Sequence, residues 1–217
     1  MPQCVELEFP IGYVADQLTI AVAGQAPPRA TGWHITALIK ASKELARGKT
    51  VDPNHYYCSE VSSDMSGLES QVPAGLFEMG NLWEAACRPA FSRWCHERFG
   101  FVSTGPSELI HEGIVANADA LVLSPSTNSV VAVAECKFRY SHETDPTAND
   151  DWMRQVKGYC YILGVNAVWM VIGNVRQRPP GAASRIYMLT FYTEDIAENW
   201  HMLQNTRAYL NKMMEGA

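Results

Sequence analysis

Two apolar, β-branched runs, residues 114–123 and 130–138, flank the polar segment Ser124-Pro125-Ser126-Thr127-Asn128-Ser129. Such runs read as strands, and the proline-bearing segment between them reads as a hairpin turn. A hairpin here dictates partners. With the turn centred near Thr127, Asp119 and Glu135 are equidistant from it. Facing residues of an antiparallel pair have Cβ atoms about 5 Å apart. Glu135 and Lys137 share a face because side chains alternate along a strand, and Cys136 points the other way, into packing. Val131 and Val133 precede Glu135, so the charges end an otherwise apolar strand. Two carboxylates this close repel, and a divalent cation is a natural way to hold them together.

The rest of the chain supplies layers around that hairpin. Residues 24–33 read as a loop, and Thr36 as the N-cap of a helix through Arg47, closed by Gly48. Residues 49–75 are polar, punctuated by Pro53, Gly67, Pro73 and Gly75, and read as a long loop. Residues 78–99 carry a helical apolar pattern of Leu82, Trp83, Ala86, Phe91, Trp94 and Phe99, which Pro89 should kink or divide and Gly100 should end. Asn149 or Asp150 caps a helix to about Leu163, and residues 165–172 and 184–192 read as strands. Thr193, followed by Glu194 and Asp195, starts a C-terminal helix to about Met214, with acids suited to the helix dipole. The order is helix, helix, hairpin, helix, strand, strand, helix. It predicts one mixed α/β domain over residues 1–217, a central sheet flanked by helices. An N-terminal helical and loop segment covers 1–77, and the core about 78–192.

Composition narrows the classes. At 47% hydrophobic and 18% charged residues, the chain suits a globular core. The net charge of −6 counts against nonspecific wrapping of nucleic acid, but leaves room for a local basic channel with a metal. No apolar run approaches the roughly 20 residues of a membrane span. The N-terminal residues lack the pattern of a secretory signal, so the expectation is a cytoplasmic protein with no membrane partner. Cys4, Cys58, Cys87, Cys95, Cys136 and Cys160 form no CxxC pair, no zinc spacing and no obvious iron–sulfur set. They are expected to be reduced thiols, mostly in the core.

The hairpin chemistry fits phosphodiester hydrolysis. Two carboxylates grip Mg²⁺, which polarises a phosphate oxygen and lowers the pKa of a bound water. The carbonyl of Cys136 can add a ligand, and Lys137 can orient the water or stabilise charge building on the phosphate. The run Gly113-Ile114-Val115-Ala116-Asn117-Ala118-Asp119, followed by Glu135-Cys136-Lys137, resembles the PD-(D/E)xK nuclease signature, with Ala118 where the name implies proline. Gln155 and Tyr159, four apart on the next helix, share a face. They resemble the QxxxY motif of the RecB-type and lambda-exonuclease-like branch. Met79-Gly80-Asn81-Leu82-Trp83-Glu84 looks like that branch's glycine-plus-glutamate helix. Arg29-Ala30-Thr31-Gly32-Trp33-His34-Ile35-Thr36 is similar to the N-terminal motif of phage YqaJ-type recombination exonucleases. The resemblance spans roughly residues 29–172.

The resemblance implies a restriction-endonuclease-like core and a Mg²⁺-dependent deoxyribonuclease in which Mn²⁺ substitutes. It makes Asp119 and Glu135 metal ligands, with Glu84 an additional or second-site ligand. Lys137 becomes the catalytic lysine, and Gln155 the residue that contacts the water or the scissile phosphate. Tyr159 becomes a substrate or packing partner, and Arg29 a phosphate contact. Arg139, Arg154 and Lys157 either line a DNA track or form a solvated surface. An exonuclease of this type resects duplex ends for recombination beside a single-strand annealing protein, and a trimeric ring is the implied assembly. If phage-encoded, it works in the host cytoplasm. Two alternatives stay open: a DNA endonuclease on the same fold, and a catalytically silent DNA-binding or assembly protein. The six histidines are scattered, although His111 and Glu112 precede the hairpin. Trp33 and Trp152 either stack on bases or pack. The stripe Ile196, Trp200, Leu203, Tyr209 and Leu210 reads as a core face or an interface.

Overall fold

The computed structural model describes residues 2–9, 31–58, 76–139, 145–174 and 184–216. The predicted hairpin is its centre. Strand β7 (Ala120–Ser124) turns back into β8 (Ser129–Arg139), pairing Ala120 with Ala134, Leu121 with Val133 and Val122 with Ala132. The register then shifts by one, so Val131 is an extra residue on the longer strand. Asp119 lies one step beyond Ala120, and Glu135 one step beyond Ala134, so the expected juxtaposition follows from the observed ladder.

The first predicted strand is not continuous. It breaks at Asp119 into β6 (Ile114–Ala118) and β7, and the two halves enter different sheets. In chain order the remaining strands are β1 (Gln3–Glu8), β2 (Gly32–His34), β3 (Tyr57–Cys58), β4 (Val102–Ser103), β5 (Ser107–His111), β9 (Ala167–Asn174) and β10 (Arg185–Thr190). The larger sheet has the order β1-β10-β9-β8-β7-β4, and the smaller β3-β2-β6-β5. An Asp among apolar neighbours pairs poorly in a ladder, and here it sits where the sheets diverge.

Strands β8 and β9 are parallel, with Glu135 beside Met170 and Lys137 beside Ile172. A parallel pair needs a crossover. Helix α3 (Asp150–Leu163) lies between them in sequence. Its N-cap Asn149 accepts from the Trp152 amide at 3.2 Å, and Gly164 closes it at φ 66°. Only a residue without a Cβ adopts that left-handed turn cheaply. Helices α1 (Ile35–Ala46), α3 and α4 (Thr193–Glu215) pack on one another over one face of the large sheet. Helix α2 (Leu76–Phe99) covers the other face.

Alternation along β8 builds two cores. Val133 joins Met170, Ile172, Tyr159, Trp200 and Leu203 on one side. Ala132, Ala134 and Cys136 join Phe91, Trp94, Trp169 and Val171 on the other. Each buried large side chain contributes about 1.5–3 kcal/mol, so both faces of the sheet are firmly clamped. No helix among the described residues is long and apolar enough to cross a membrane.

Several expectations need correcting. Helix α1 begins at Ile35, with His34 as N-cap and no side-chain cap bond, rather than being capped by Thr36. Pro89 lies inside one unbroken helix. Its missing N–H costs one helical bond, and packing of Ala86, Cys87, Ala90 and Phe91 holds the helix across it. The edge strand β1, paired antiparallel to β10, was not expected. Nor were the short strands β2 and β3, where loops were predicted, or β5. Most of the two predicted loops, residues 24–30 of the first and 59–75 of the second, lies outside the described residues. Ile196, Trp200, Leu203 and Leu210 form a core face as expected, while Tyr209 is exposed.

Candidate active site

The divergence of the two sheets places Asp119 at the end of β6 and start of β7, nine-tenths buried. Its Oδ2 accepts the Cys136 amide at 2.6 Å. Glu135 is buried beside it, 3% exposed, and its two oxygens differ. Oε1 lies 2.5 Å from the Lys137 ammonium and accepts from Gln155 Nε2 at 3.0 Å. Oε2 is buried without a hydrogen-bond partner. A buried carboxylate oxygen is normally paired, because desolvation without a partner is costly.

Helix α3 supports this arrangement. Gln155 Nε2 also donates to the Tyr159 hydroxyl, which donates in turn to the carbonyl of Asn117 at 2.8 Å. The i,i+4 spacing of Gln155 and Tyr159 stacks both groups on the face that meets β8. Tyr159 is 1% exposed and cannot reach a ligand in solvent. Its ring packs in the core between α3 and the sheet. It anchors Gln155, which anchors Glu135.

Helix α2 reaches the site from the opposite face. Glu84 lies beside Asp119, and Arg88, one turn on, approaches the Glu84 carboxylate at 3.3 Å. Burial, then the adjacent Asp119, pushes the Glu84 carboxyl up to about 8, against the opposing pull of Arg88. Burial likewise pushes Glu135 up to about 7, with Lys137 opposing and Asp119 adding to the rise. Burial alone would depress the Lys137 ammonium, but Glu135 foremost, then Asp119 and Glu84, raise it above its ordinary value. Burial is thus the main cause of the raised acids, and the crowding of three carboxylates around one ammonium adds to it.

The donor set fits a hard divalent cation. Its potential ligands are all oxygens: Asp119, the unpaired Glu135 Oε2, Glu84 and the Cys136 carbonyl. Among the described residues no three side chains already form a closed metal cage. Mg²⁺ does not need one, because it is commonly held by one or two carboxylates and keeps several waters.

The other candidates separate. Arg154 pairs with Asp150 at 2.7 Å, one turn away on α3, and is one-third exposed. Arg29 and the Arg139 side chain lie outside the described residues. Glu112 is committed elsewhere, accepting from Trp200 Nε1 at 3.2 Å and from Gln204. His111 packs near the rings of Tyr161 and Trp200. Trp33 is buried and donates to Asn211 at 2.9 Å, so it packs rather than stacks. Trp152 is partly buried against the core. The cysteines contain a pair that was not foreseen, with the Sγ atoms of Cys136 and Cys87 3.4 Å apart. Sequence reasoning also missed Arg88, although its four-residue spacing from Glu84 was a legible signal, and Asn117, whose contribution is a backbone carbonyl.

No family model matches the chain, and no curated protein matches its sequence. Solved structures do. The chain is similar to an alkaline exonuclease (LHK-Exo) from Laribacter hongkongensis at a TM-score of 0.56, with 15% identity over 95% of both chains. It is also similar to LHK-Exo in complex with dAMP, at a TM-score of 0.53 and 13% identity over 94% of this chain and 93% of that one. The fold is therefore that of an alkaline exonuclease, as the signature around Asp119 and Glu135 led us to expect.

Proposed function

We propose that this chain is a metal-dependent nuclease that hydrolyses DNA, acting as an exonuclease on duplex ends. The observation that carries the reading is the Glu135 carboxylate. One oxygen is held by Lys137 and Gln155, and the other is buried and unpaired beside Asp119. An oxygen kept so is ready for a cation.

Asp119, Glu135 and the Cys136 carbonyl would hold Mg²⁺, with Glu84 as a further ligand and Mn²⁺ as a substitute. When bound, the ion supplies Lewis-acid polarisation of a phosphate oxygen and a bound water of lowered pKa. Asp119 is oriented by the Cys136 amide. Glu135 is oriented by Gln155, itself fixed by Tyr159. Lys137, protonated at neutral pH, offers its ammonium to the charge that builds on the phosphate as water attacks phosphorus and a P–O ester bond breaks. Arg154, Arg29 and Arg139 would contact the DNA backbone in this reading, as the resemblance implies. Assembly into a ring and partnership with a single-strand annealing protein belong to the same proposal, by resemblance to recombination exonucleases.

The test uses end-labelled linear duplex and covalently closed circular duplex with Mg²⁺. Linear DNA should be degraded and circular DNA spared, with Asp119→Asn, Glu135→Gln and Lys137→Ala each abolishing degradation. Cutting of the circle would make the enzyme an endonuclease. Linear DNA left intact by protein that binds Mg²⁺ would overturn the nuclease reading, and metal-independent DNA binding without turnover would replace it with a silent binding protein.

A further inference from the structure

Glu84 is the one carboxylate of the site that arrives from a separate layer, so something must set the depth of its helix against the sheet. Trp83 and Cys87, one turn apart on α2, lie along β8: the Trp83 ring is 5.5 Å from Phe138, and Cys87 Sγ is 3.4 Å from Cys136 Sγ. Phe138 pairs with Gly173 on β9. A Cβ at Gly173 would come within 2.5 Å of Trp83 Cε2 and Cζ2, closer than real Cβ contacts. The indole therefore lies on bare backbone, in a seat that exists only because residue 173 has no side chain. It is 4% exposed, and its N–H is buried with no hydrogen-bond partner. A smaller apolar ring would avoid that unsatisfied donor, so the feature that distinguishes tryptophan here is its shape.

We propose that Gly173 and Trp83 are positioning residues for Glu84: the indole seated on the glycine fixes how deep the first half of α2 lies, and so how far the Glu84 carboxylate reaches towards Asp119 and Glu135. The inference rests on the metal-dependent reading of the site. Ion ligands are sensitive to their supporting shell, whose loss typically costs about 10–100-fold in metal affinity.

Mg²⁺ binding to the full chain, measured by calorimetry, tests it without reference to cleavage. Gly173→Ala should weaken Mg²⁺ binding about tenfold, in line with the loss of a supporting contact. Adding Trp83→Phe to Gly173→Ala should restore much of the affinity, because the smaller ring vacates the space the new methyl needs. Leu210→Ala, a cavity in the α4 core on the opposite face, should lower the melting temperature and leave Mg²⁺ affinity at the wild-type value. Should Gly173→Ala fail to fold, Trp83→Leu alone should show the same weakening. Wild-type affinity in a folded Gly173→Ala or Trp83→Leu variant, or an equal loss in Leu210→Ala, overturns the proposal. A wild type that binds no Mg²⁺ overturns the metal-dependent reading beneath it.

Discussion

The amide of Cys136 donates to Oδ2 of Asp119 at 2.6 Å, tying the residue at the head of β7 to the middle of the Glu135-Cys136-Lys137 tripeptide. The bond gives Asp119 two separable duties, one as a structural acceptor and one as a charge. Asp119→Asn keeps an acceptor for the amide and removes the charge. It should fold with a near-wild-type melting temperature and lose at least about 100-fold in cleavage rate, the scale of removing one preorganised electrostatic group. Asp119→Ala also strands a buried N–H, and should cost about 1–3 kcal/mol of stability. Thermal melts beside cleavage assays separate the two. Equal melting temperatures for both variants would show that the bond does not contribute.

The raised acids make ion-free stability depend on pH in an unusual direction. Glu84 and Glu135 take up protons more readily in the folded protein than unfolded, with folded values of about 8 and 7. Their favourable contribution is complete below the ordinary carboxylate range near 4.5 and is lost as pH rises through 7 to 8. In EDTA the melting temperature should therefore fall between about pH 5 and 8 from these groups. Mg²⁺ binds the deprotonated forms, so its stabilisation should grow over the same interval. Glu84→Gln should flatten the slope in EDTA. A wild-type slope in that variant would contradict the assignment.

Gln155 acts through Glu135. Gln155→Ala removes the 3.0 Å bond to Oε1 and the link to Tyr159. Mg²⁺ affinity should fall about 10–100-fold, with the fold retained. Tyr159→Phe should reproduce a smaller part of the same loss, because Gln155 keeps its bond to Glu135. If Tyr159→Phe weakened Mg²⁺ binding as much as Gln155→Ala, the order of the relay would be wrong.

Arg154 offers the opposite profile. Its pairing with Asp150 is exposed and one turn apart, so Arg154→Ala should change stability by less than about 0.5 kcal/mol. If the guanidinium meets a phosphate, duplex DNA affinity should drop and the salt dependence should weaken by about one counterion. An unchanged salt slope would return Arg154 to the ordinary solvated surface.

Local chemistry was legible in the sequence where spacing alone determines geometry. The turn near Thr127 pointed to the Asp119–Glu135 relation, because antiparallel register follows distance from the turn. The bulge at Val131 was not legible, and it supplies the one-residue shift that sets Glu135 rather than Ala134 opposite Asp119. Gln155 and Tyr159 were legible from helical periodicity. What was not legible depends on tertiary placement. Nothing local in the apolar run 114–123 separates a continuous strand from one that changes sheets at Asp119. The Gln3–Glu8 strand is half polar because it lies at a sheet edge, and its pairing with β10 spans nearly the whole chain. His34 replaced Thr36 at the helix start because β2 runs directly into α1, leaving no turn for a side-chain cap.

Asp119 is also a mechanical joint. It is the single residue that separates β6 of the small sheet from β7 of the large one. The small sheet holds β6 through β5 and the three-residue β2, whereas β8 and β9 run through the middle of the large sheet. Cooperative units of a protein open at different free energies. If the small sheet opens first, Asp119 swings away and Ile114, Ala116 and Ala118 leave one core, while the core under α2 stays packed, so the protein loses its chemistry before its global fold. Heating should then abolish Mg²⁺-dependent stabilisation and cleavage below the global melting temperature. Amides of Ile114–Ala118 should exchange with solvent ahead of those of β8 and β9.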